Sequence, residues 1–517
     1  MPIRVRFAPS PTGYLHVGGA RTALFNWLFA KHHGGRFVLR LEDTDRARNR
    51  PEYAQAVYDG LRWLQINWDE GPDTGGPYAP YAQSERTALH LAAAHAMLRS
   101  GAAYECWCPP AAGADTEALE DASDADAPAS VNGGGIERTA LRSQTRCLCG
   151  LSPRTDKPDS AADGTQPAIR LRVPAERALV VDDAVRGRVT FPAGTVPDFI
   201  LTASDGRALY NLAASVDDHE MRITHVIRGE EHLANAPKQL LIYEAMGWEP
   251  PVFAHLPILL NAQRRKLSKR DGATSLHDYE GMGYLPEAVV NFLALLGWSP
   301  GDNKELLTRD EIVRLFDLEG VVKHPAIFET AKLGWMNKEY IKALPAAALA
   351  TRLADFMRRH SEHGAALPDF PYLERVAELF RERAKTLADI VRLGSYFFTR
   401  DPIEPSEEAL AKYCSPPGPA GDSLRAVRSA LAAAPRFDVG TVEKSIRELA
   451  EETKTKASAY IHPLRAAVSG QAVSPGIFEV CSILGRETVL ARVDALVSFL
   501  DSAASEKTTA AHAKPAR

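Results

Sequence analysis

The sequence predicts an α/β domain followed by an all-α region, and three observations carry this. Strand-like and helical runs alternate, with glycines at their junctions, through the first hundred residues and again after residue 168. A tract rich in Ala, Asp, Gly, Ser and Pro, from Pro109 to about Gln166, interrupts that order without hydrophobic periodicity. Beyond about Leu285 strand-like runs are scarce and helical ones follow one another.

Taken in order, Arg4-Val5-Arg6-Phe7 alternates as a short strand, and a Pro/Ser/Gly loop leads to a helical run from Ala20 to His32 that Gly34-Gly35 ends. Arg36 to Glu42 alternates again, and Ala54 to Leu64 and Glu85 to Arg99 read as amphipathic helices. Strand, helix, strand in this arrangement points to a parallel sheet of the nucleotide-binding type. The pattern resumes at Ala168 to Val173, Leu179-Val180-Val181 and Asp198 to Leu201, then at Val226-Ile227-Arg228 and a helix near Pro237 to Ala245. The C-terminal helices are expected at Glu287 to Leu296, Arg309 to Phe316, Tyr372 to Leu393, Ser423 to Ala433 and Thr441 to Glu451. The tail from Ala503 to Arg517, rich in Ala, Ser, Thr and Lys, is expected to be disordered.

The bulk numbers bound these readings. A chain of 517 residues, 45% hydrophobic and 25% charged, has room for about two to four domains with their own cores. It carries no apolar run long enough for a membrane span and no N-terminal h-region, so a cytoplasmic protein with no membrane partner is expected. A net charge of −5 argues mildly against a nucleic-acid partner, although composition cannot show basic residues gathered on one face. Six cysteines are too few for a disulfide scaffold. Four of them form two tight pairs, Cys106-Trp-Cys108 and Cys147-Leu-Cys149, which fit a structural zinc site or simply reduced thiols; Cys414 and Cys481 are isolated and expected to be buried.

Two motifs carry chemistry. Arg6-Phe-Ala8-Pro-Ser10-Pro-Thr-Gly-Tyr-Leu-His16-Val-Gly18-Gly19 lies between a strand and a helix, where backbone N–H groups and the helix dipole favour an anion. Gly18 and Gly19 let a phosphate or adenine approach the backbone, and His16 can donate to phosphate oxygens whose charge grows during displacement. Alone this is compatible with an ordinary loop and a surface histidine. Its partner is Lys266-Leu-Ser268-Lys269-Arg270, two lysines and a serine able to clamp β- and γ-phosphates and stabilise a pentacovalent transition state.

Together the two motifs resemble the "HIGH" and "KMSKS" signatures of class I aminoacyl-tRNA synthetases. The longer strings Arg6 to Gly13, Leu39-Arg-Leu-Glu42-Asp43-Thr44-Asp45-Arg46, Tyr81 to Arg86, Val216-Asp-Asp-His219, Val226-Ile-Arg228-Gly-Glu230-Glu231-His232 and Leu333-Gly-Trp-Met-Asn337 resemble the glutamyl-tRNA synthetase family, from about residue 3 to 500. The resemblance implies an α/β Rossmann-type catalytic domain with an inserted acceptor-binding domain, followed by all-α anticodon-binding domains, in a monomer. It also implies ATP with Mg²⁺ as the energy source, L-glutamate as the amino acid and tRNA(Glu) as the acceptor; whether tRNA(Gln) is charged too stays open. The adenylate forms first, and the 2′-hydroxyl of the terminal adenosine then takes the acyl group.

Carried over by position, the family assigns glutamate to Arg6, Ala8, Ser10, Glu42, Tyr210 and Arg228, which suits a dicarboxylate with an ammonium group. ATP falls to His16, Gly18, Gly19, Lys266, Ser268 and Lys269, with Lys269 on the pyrophosphate leaving group. Contacts to tRNA fall to Asp45, Arg48 and Glu231, and in the helical region to Arg383 and Arg465, which could meet anticodon bases by hydrogen bonding and stacking. Several bacterial members carry a cysteine knuckle like Cys106, Cys108, Cys147 and Cys149. The chain departs from the family at Ala214-Ser215, where members often carry Asn or Val. Helices after residue 346, rather than β-barrels, speak against the glutaminyl relatives. A nucleotidyltransferase of the same superfamily, with no tRNA partner, is the rival from another class. The expected domains are residues 1–105 and 198–260 for the two catalytic halves, 106–197 for the insertion, 261–345 for a stem-contact region, 346–502 for the anticodon-binding region and 503–517 for the tail.

Overall fold

The computed structural model describes residues 2–44, 49–108, 155, 157, 166–267, 275–399 and 402–512. It forms two compact units, one of residues 1–280 and 286–333, the other of residues 281–285 and 334–517. The stretch 261–345 is therefore divided between them.

The first unit is built on a six-stranded sheet. In chain order its first elements are β1 (Arg4–Phe7), α1 (Val17–His32), β2 (Arg36–Leu39), α2 (Pro51–Trp63) and α3 (Thr87–Arg99). Then come β3 (Ala103–Cys106), β4 (Ala168–Leu171), β5 (Leu179–Asp183), β6 (Gly187–Phe191) and β7 (Phe199–Thr202), followed by α4 (Tyr210–Glu220), β8 (His225–Gly229), α5 (Ala236–Met246), β9 (Val252–Leu256) and β10 (Leu259–Leu260). The sheet order is β2-β1-β8-β9-β5-β6, parallel throughout except for the β6 edge. Buried apolar side chains of α3, α4, α5 and the strands, among them Met97, Phe191, Leu212, Val226 and Phe253, form one continuous core.

Strand β1 shows what a central position costs. Its Arg-Val-Arg-Phe alternation suggests one face in water, yet all four residues are buried because the strand lies between β2 and β8. Two guanidiniums inside a sheet must be paired. Arg4 meets Glu70 through two bonds of 2.7 and 2.9 Å, and Tyr81 donates to the same carboxylate at 2.6 Å. Arg6 meets Asp218 at 3.0 Å.

Three elements depart from the sequence reading. The β5–β6 hairpin, assigned there to the insertion, extends the main sheet beside β9 because Leu179, Val181 and Phe191 bury their alternate face. The insertion contributes instead a small antiparallel sheet, β3-β4-β7, which takes in Phe199–Thr202. The helix expected over 372–393 is two helices, Phe370–Phe380 and Leu387–Leu393. Thr386 starts the second one, its hydroxyl accepting from the Asp389 N–H while the Asp389 carboxylate accepts from the Thr386 N–H.

The second unit is helical. Pro417–Ala433 packs along the last helix, Arg486–His512, and against Ser458–Ser469. That last helix continues well past Ala503, where the tail was expected to begin. Among the described residues no helix is long and apolar enough to cross a membrane.

Candidate active site

The carboxyl ends of β1, β2 and β8 lie side by side, and the strand order reverses about β1, with β2 on one side and β8 on the other. An open parallel sheet leaves its ligand crevice at such a switch point. Arg6 lies in the second half of β1, Glu42 just beyond β2, Arg228 near the end of β8, and Tyr210 opens α4. Residues far apart in sequence thus meet because three parallel strands end together.

The cluster is held by buried charge. Asp218 Oδ1 accepts from Arg6 Nε at 3.0 Å and from Arg40 Nη1 at 2.7 Å, and Arg40 Nη2 reaches Glu42 Oε1 at 3.3 Å. The neighbouring Asp217 is fully enclosed and takes Arg86, His90 and Gln83 at 2.6, 2.9 and 3.0 Å. Burial pushes the Asp218 carboxyl up, but Arg6 and Arg40 outweigh it and hold the group below the ordinary aspartate range. For Glu42 burial wins against the same two arginines, and its carboxyl sits above the usual glutamate range. Glu42 is thus the acid that most needs an added cation, the property expected of a seat for an ammonium group. Arg40, Asp217 and Asp218 were not singled out from the sequence; the adjacent carboxylates inside an otherwise apolar helical turn were the available signal.

On the other side, Arg228 donates from Nη1 to the Tyr210 hydroxyl at 3.3 Å and from Nη2 to the His232 carbonyl at 3.3 Å. His232 Nδ1 lies 3.5 Å from the same hydroxyl. Burial lowers the Arg228 guanidinium, and burial raises the Tyr210 hydroxyl. The His232 imidazole is pushed well below its usual value by burial and then by Arg228, so it is neutral. Ala8 and Ser10 lie on the loop after β1, which is pinned where the Pro9 carbonyl accepts from the Glu42 N–H at 3.0 Å. Ala214 and Ser215 are fully enclosed, and the Ser215 hydroxyl has no hydrogen-bond partner among the described residues.

His16 caps α1: its Nδ1 accepts from the Gly18 N–H at 3.2 Å. In the neutral ring the proton then sits on Nε2, which is a donor. The two glycines differ. A Cβ on Gly19 would stand 3.0 Å from Leu15 Cδ1, close enough that the leucine would have to shift, whereas at Gly18 it would meet, among the described residues, only His16 Nδ1 at 3.6 Å. Among the described residues packing does not demand Gly18, and its bare Cα leaves the helix terminus open to close approach.

Ser268 and Lys269 lie outside the described residues, but both ends of their loop are defined. Leu267 donates to the Leu259 carbonyl at 3.1 Å, and Lys266 pairs with Leu260. On return, Ser275 pairs with His16 and Leu276 donates to the Leu15 carbonyl at 3.0 Å. The described chain therefore leaves for the second motif beside β10, in a two-stranded sheet with Ala326–Ile327, and is next described at Ser275, paired with the first motif. Lys266 is near enough for its charge to act on His232.

Comparison with known proteins gives this arrangement its family. The family described as "tRNA synthetases class I (E and Q), catalytic domain" matches residues 2–335, and "Anticodon binding domain" matches residues 348–497. The chain belongs to the class I tRNA synthetases of the E and Q group. It is 43% identical to the glutamate--tRNA ligase of Desulforudis audaxviator over 503 residues, covering 96% of this chain and 97% of that one. Against the glutamate--tRNA ligase of Moorella thermoacetica it is 43% identical over 494 residues, covering 95% and 97%. The crystal structure of a glutamate tRNA ligase from Elizabethkingia meningosepticum in complex with its amino acid is 33% identical, with a TM-score of 0.78, covering 97% of this chain and all of that one.

In this synthetase Arg383 and Arg465 converge on one loop of the helical unit. Arg383 Nη1 donates to the Ser474 carbonyl at 3.3 Å; Arg465 Nη1 donates to the carbonyls of Ser474 and Pro475 at 3.1 Å each and to the Ser474 hydroxyl. Glu231 is exposed beside the cluster, while Glu230 is paired with Arg186. Cys106 ends β3 buried and Cys108 follows half-buried; Cys147 and Cys149, like Asp45 and Arg48, lie outside the described residues.

Proposed function

We propose that this chain is a cytoplasmic glutamate--tRNA ligase, acting as a monomer, that forms glutamyl-adenylate from L-glutamate and ATP and passes the glutamyl group to the 2′-hydroxyl of the terminal adenosine of tRNA(Glu). The observation that carries this is the meeting of Arg6, Glu42, Tyr210 and Arg228 at the switch point, with Ser275, downstream of the second motif, paired to His16. Two guanidiniums suit two carboxylates, and a carboxylate raised by burial suits an ammonium group. The amino acid is held while its carboxylate attacks the α-phosphate. His16 Nε2–H donates to phosphate oxygens, and Lys266 and Lys269 draw charge from the departing pyrophosphate. Mg²⁺ bound with ATP neutralises phosphate charge. Asp45, Arg48 and Glu231 are proposed to meet the acceptor end, and Arg383 and Arg465 the anticodon.

The donor set of Cys106 and Cys108, two thiols at one strand end and one of them buried, fits half of a zinc knuckle that Cys147 and Cys149 would complete. Chelator-resistant zinc at a single equivalent per chain is expected, and a protein free of zinc after purification without chelator rejects the knuckle.

Charging of purified tRNA(Glu) and tRNA(Gln) with labelled glutamate tests the main reading; failure with both tRNAs rejects it. Glutamate-dependent ATP–pyrophosphate exchange is expected to require tRNA, and exchange of equal rate without it counts against the glutamyl branch. Lys269→Ala should slow activation about 100- to 1,000-fold while leaving tRNA affinity unchanged; normal activation removes Lys269 from its role.

A further inference from the structure

Arg228 makes a third bond inside the fold. Its Nε donates to His255 Nε2 at 3.0 Å, and His255 Nδ1 lies 2.5 Å from Asp183 Oδ2. An Nε2 that accepts cannot carry the proton, so the proton is on Nδ1 and is donated to Asp183. Both residues are enclosed, His255 completely. Asp183 is itself fixed: its Oδ1 accepts from the backbone N–H groups of Val185, Arg186 and His255 at 3.0, 2.8 and 3.2 Å. These bonds close the β5–β6 turn. The hairpin that extends the sheet thus ends in a chain of bonds running from Asp183 through His255 to Arg228.

We infer that Asp183 and His255 are positioning residues for the amino-acid site: they hold one tautomer of His255, so that its Nε2 takes the Nε–H of Arg228 and turns the guanidinium's outer edge toward the substrate carboxylate. This rests on the reading of Arg228 as a substrate contact. The donor arithmetic supports it. A guanidinium has five N–H groups; His255, the Tyr210 hydroxyl and the His232 carbonyl take three of them. Among the described residues one N–H on each terminal nitrogen remains, and a carboxylate can accept from both. A protonated His255 would point a second N–H at Arg228 and break the chain, and burial keeps the ring neutral, with its value lowered to about 4.

The bland alternative is a packing role in the sheet, which would lower folding stability without favouring one substrate. In Asp183→Asn the amide can donate to Nδ1 and favour the wrong tautomer. Its KM for glutamate should rise about 10- to 100-fold while the KM values for ATP and tRNA stay within about twofold. His255→Gln, which keeps an acceptor for Arg228, should lie nearer the wild type than His255→Leu. Equal changes in all three KM values, or an unchanged glutamate KM in both Asp183→Asn and His255→Leu, overturn the inference. A separate readout needs no activity. In protein labelled with ¹⁵N-histidine, the resonance lost in His255→Gln should report a neutral ring protonated on Nδ1, and Asp183→Asn should move it to the other tautomer. A ring protonated on Nε2 in the wild type overturns the inference whatever the amino acid proves to be, whereas failure to charge either tRNA with glutamate alongside the expected tautomer overturns only the functional reading.

Discussion

Two sets of arginines, one in each unit, are held in opposite ways. In the catalytic unit Arg6 and Arg40 bond to carboxylates, and four buried or nearly buried guanidiniums (Arg6, Arg40, Arg86 and Arg228) stand among Asp217, Asp218 and Glu42. In the helical unit Arg383 and Arg465 are held by the carbonyls of Ser474 and Pro475. A carboxylate fixes an arginine and cancels its charge; a carbonyl fixes it and leaves the charge whole. The first arrangement suits a site that must present a few N–H groups in one geometry to a small zwitterion. The second suits a surface that offers undiminished positive charge to a polyanion. Net charge computed over the chain, −5, averages these two devices away.

The contrast can be broken at graded strength. Arg228→Ala removes a donor from the substrate's carboxylate and should lower kcat/KM for glutamate by roughly 1,000-fold, measured as charging at limiting glutamate; a loss under tenfold would mean Arg228 only packs. Asp218→Asn strands two guanidiniums and should cost about 3–5 kcal/mol of stability, read from denaturant unfolding. Because the Asp218 carboxyl is held below its unfolded value, its contribution is fully present above about pH 4 and is lost as pH falls through the folded value. The wild type should therefore lose stability in that acid range more steeply than the variant. Arg465→Gln should weaken tRNA binding about tenfold and make its salt dependence shallower by roughly one ion, with glutamate and ATP unaffected. The smallest effect belongs to an exposed pair of the helical unit, Arg428 with Asp494 at 2.6 Å: Arg428→Ala should leave the denaturant midpoint close to that of the wild type, because solvent screens the pair.

What the sequence made legible was local. The α/β order, most helices and both phosphate motifs follow from periodicity and spacing within short windows. The assignment of Arg6, Glu42, Tyr210 and Arg228 to glutamate, which is proposed, came from the family strings, not from any spacing. What periodicity missed was long-range. The alternation of β1 does not say that Arg4 and Arg6 will be buried; their partners Glu70 and Asp218 lie 66 and 212 residues away. The β5–β6 hairpin went to the wrong layer because its apolar alternation suits either sheet, and only pairing with β9 decides. The break between Phe380 and Leu387 was local and could have been read, since Thr386 and Asp389 spell a helix start that the apolar periodicity on either side obscured.

The bonds from Ser275 and Leu276 to the first motif have a thermodynamic consequence. A phosphate-binding loop with loose ends would have to lose chain entropy each time ATP entered. Here the chain on either side of residues 268–274 is fixed, at Lys266 beside β10 and at Ser275 on the cap of α1, so the cost of bringing these two points together is met once, during folding. Leu276→Pro, which removes the N–H given to the Leu15 carbonyl and changes no charge, would reopen that cost and act on turnover from outside the chemistry.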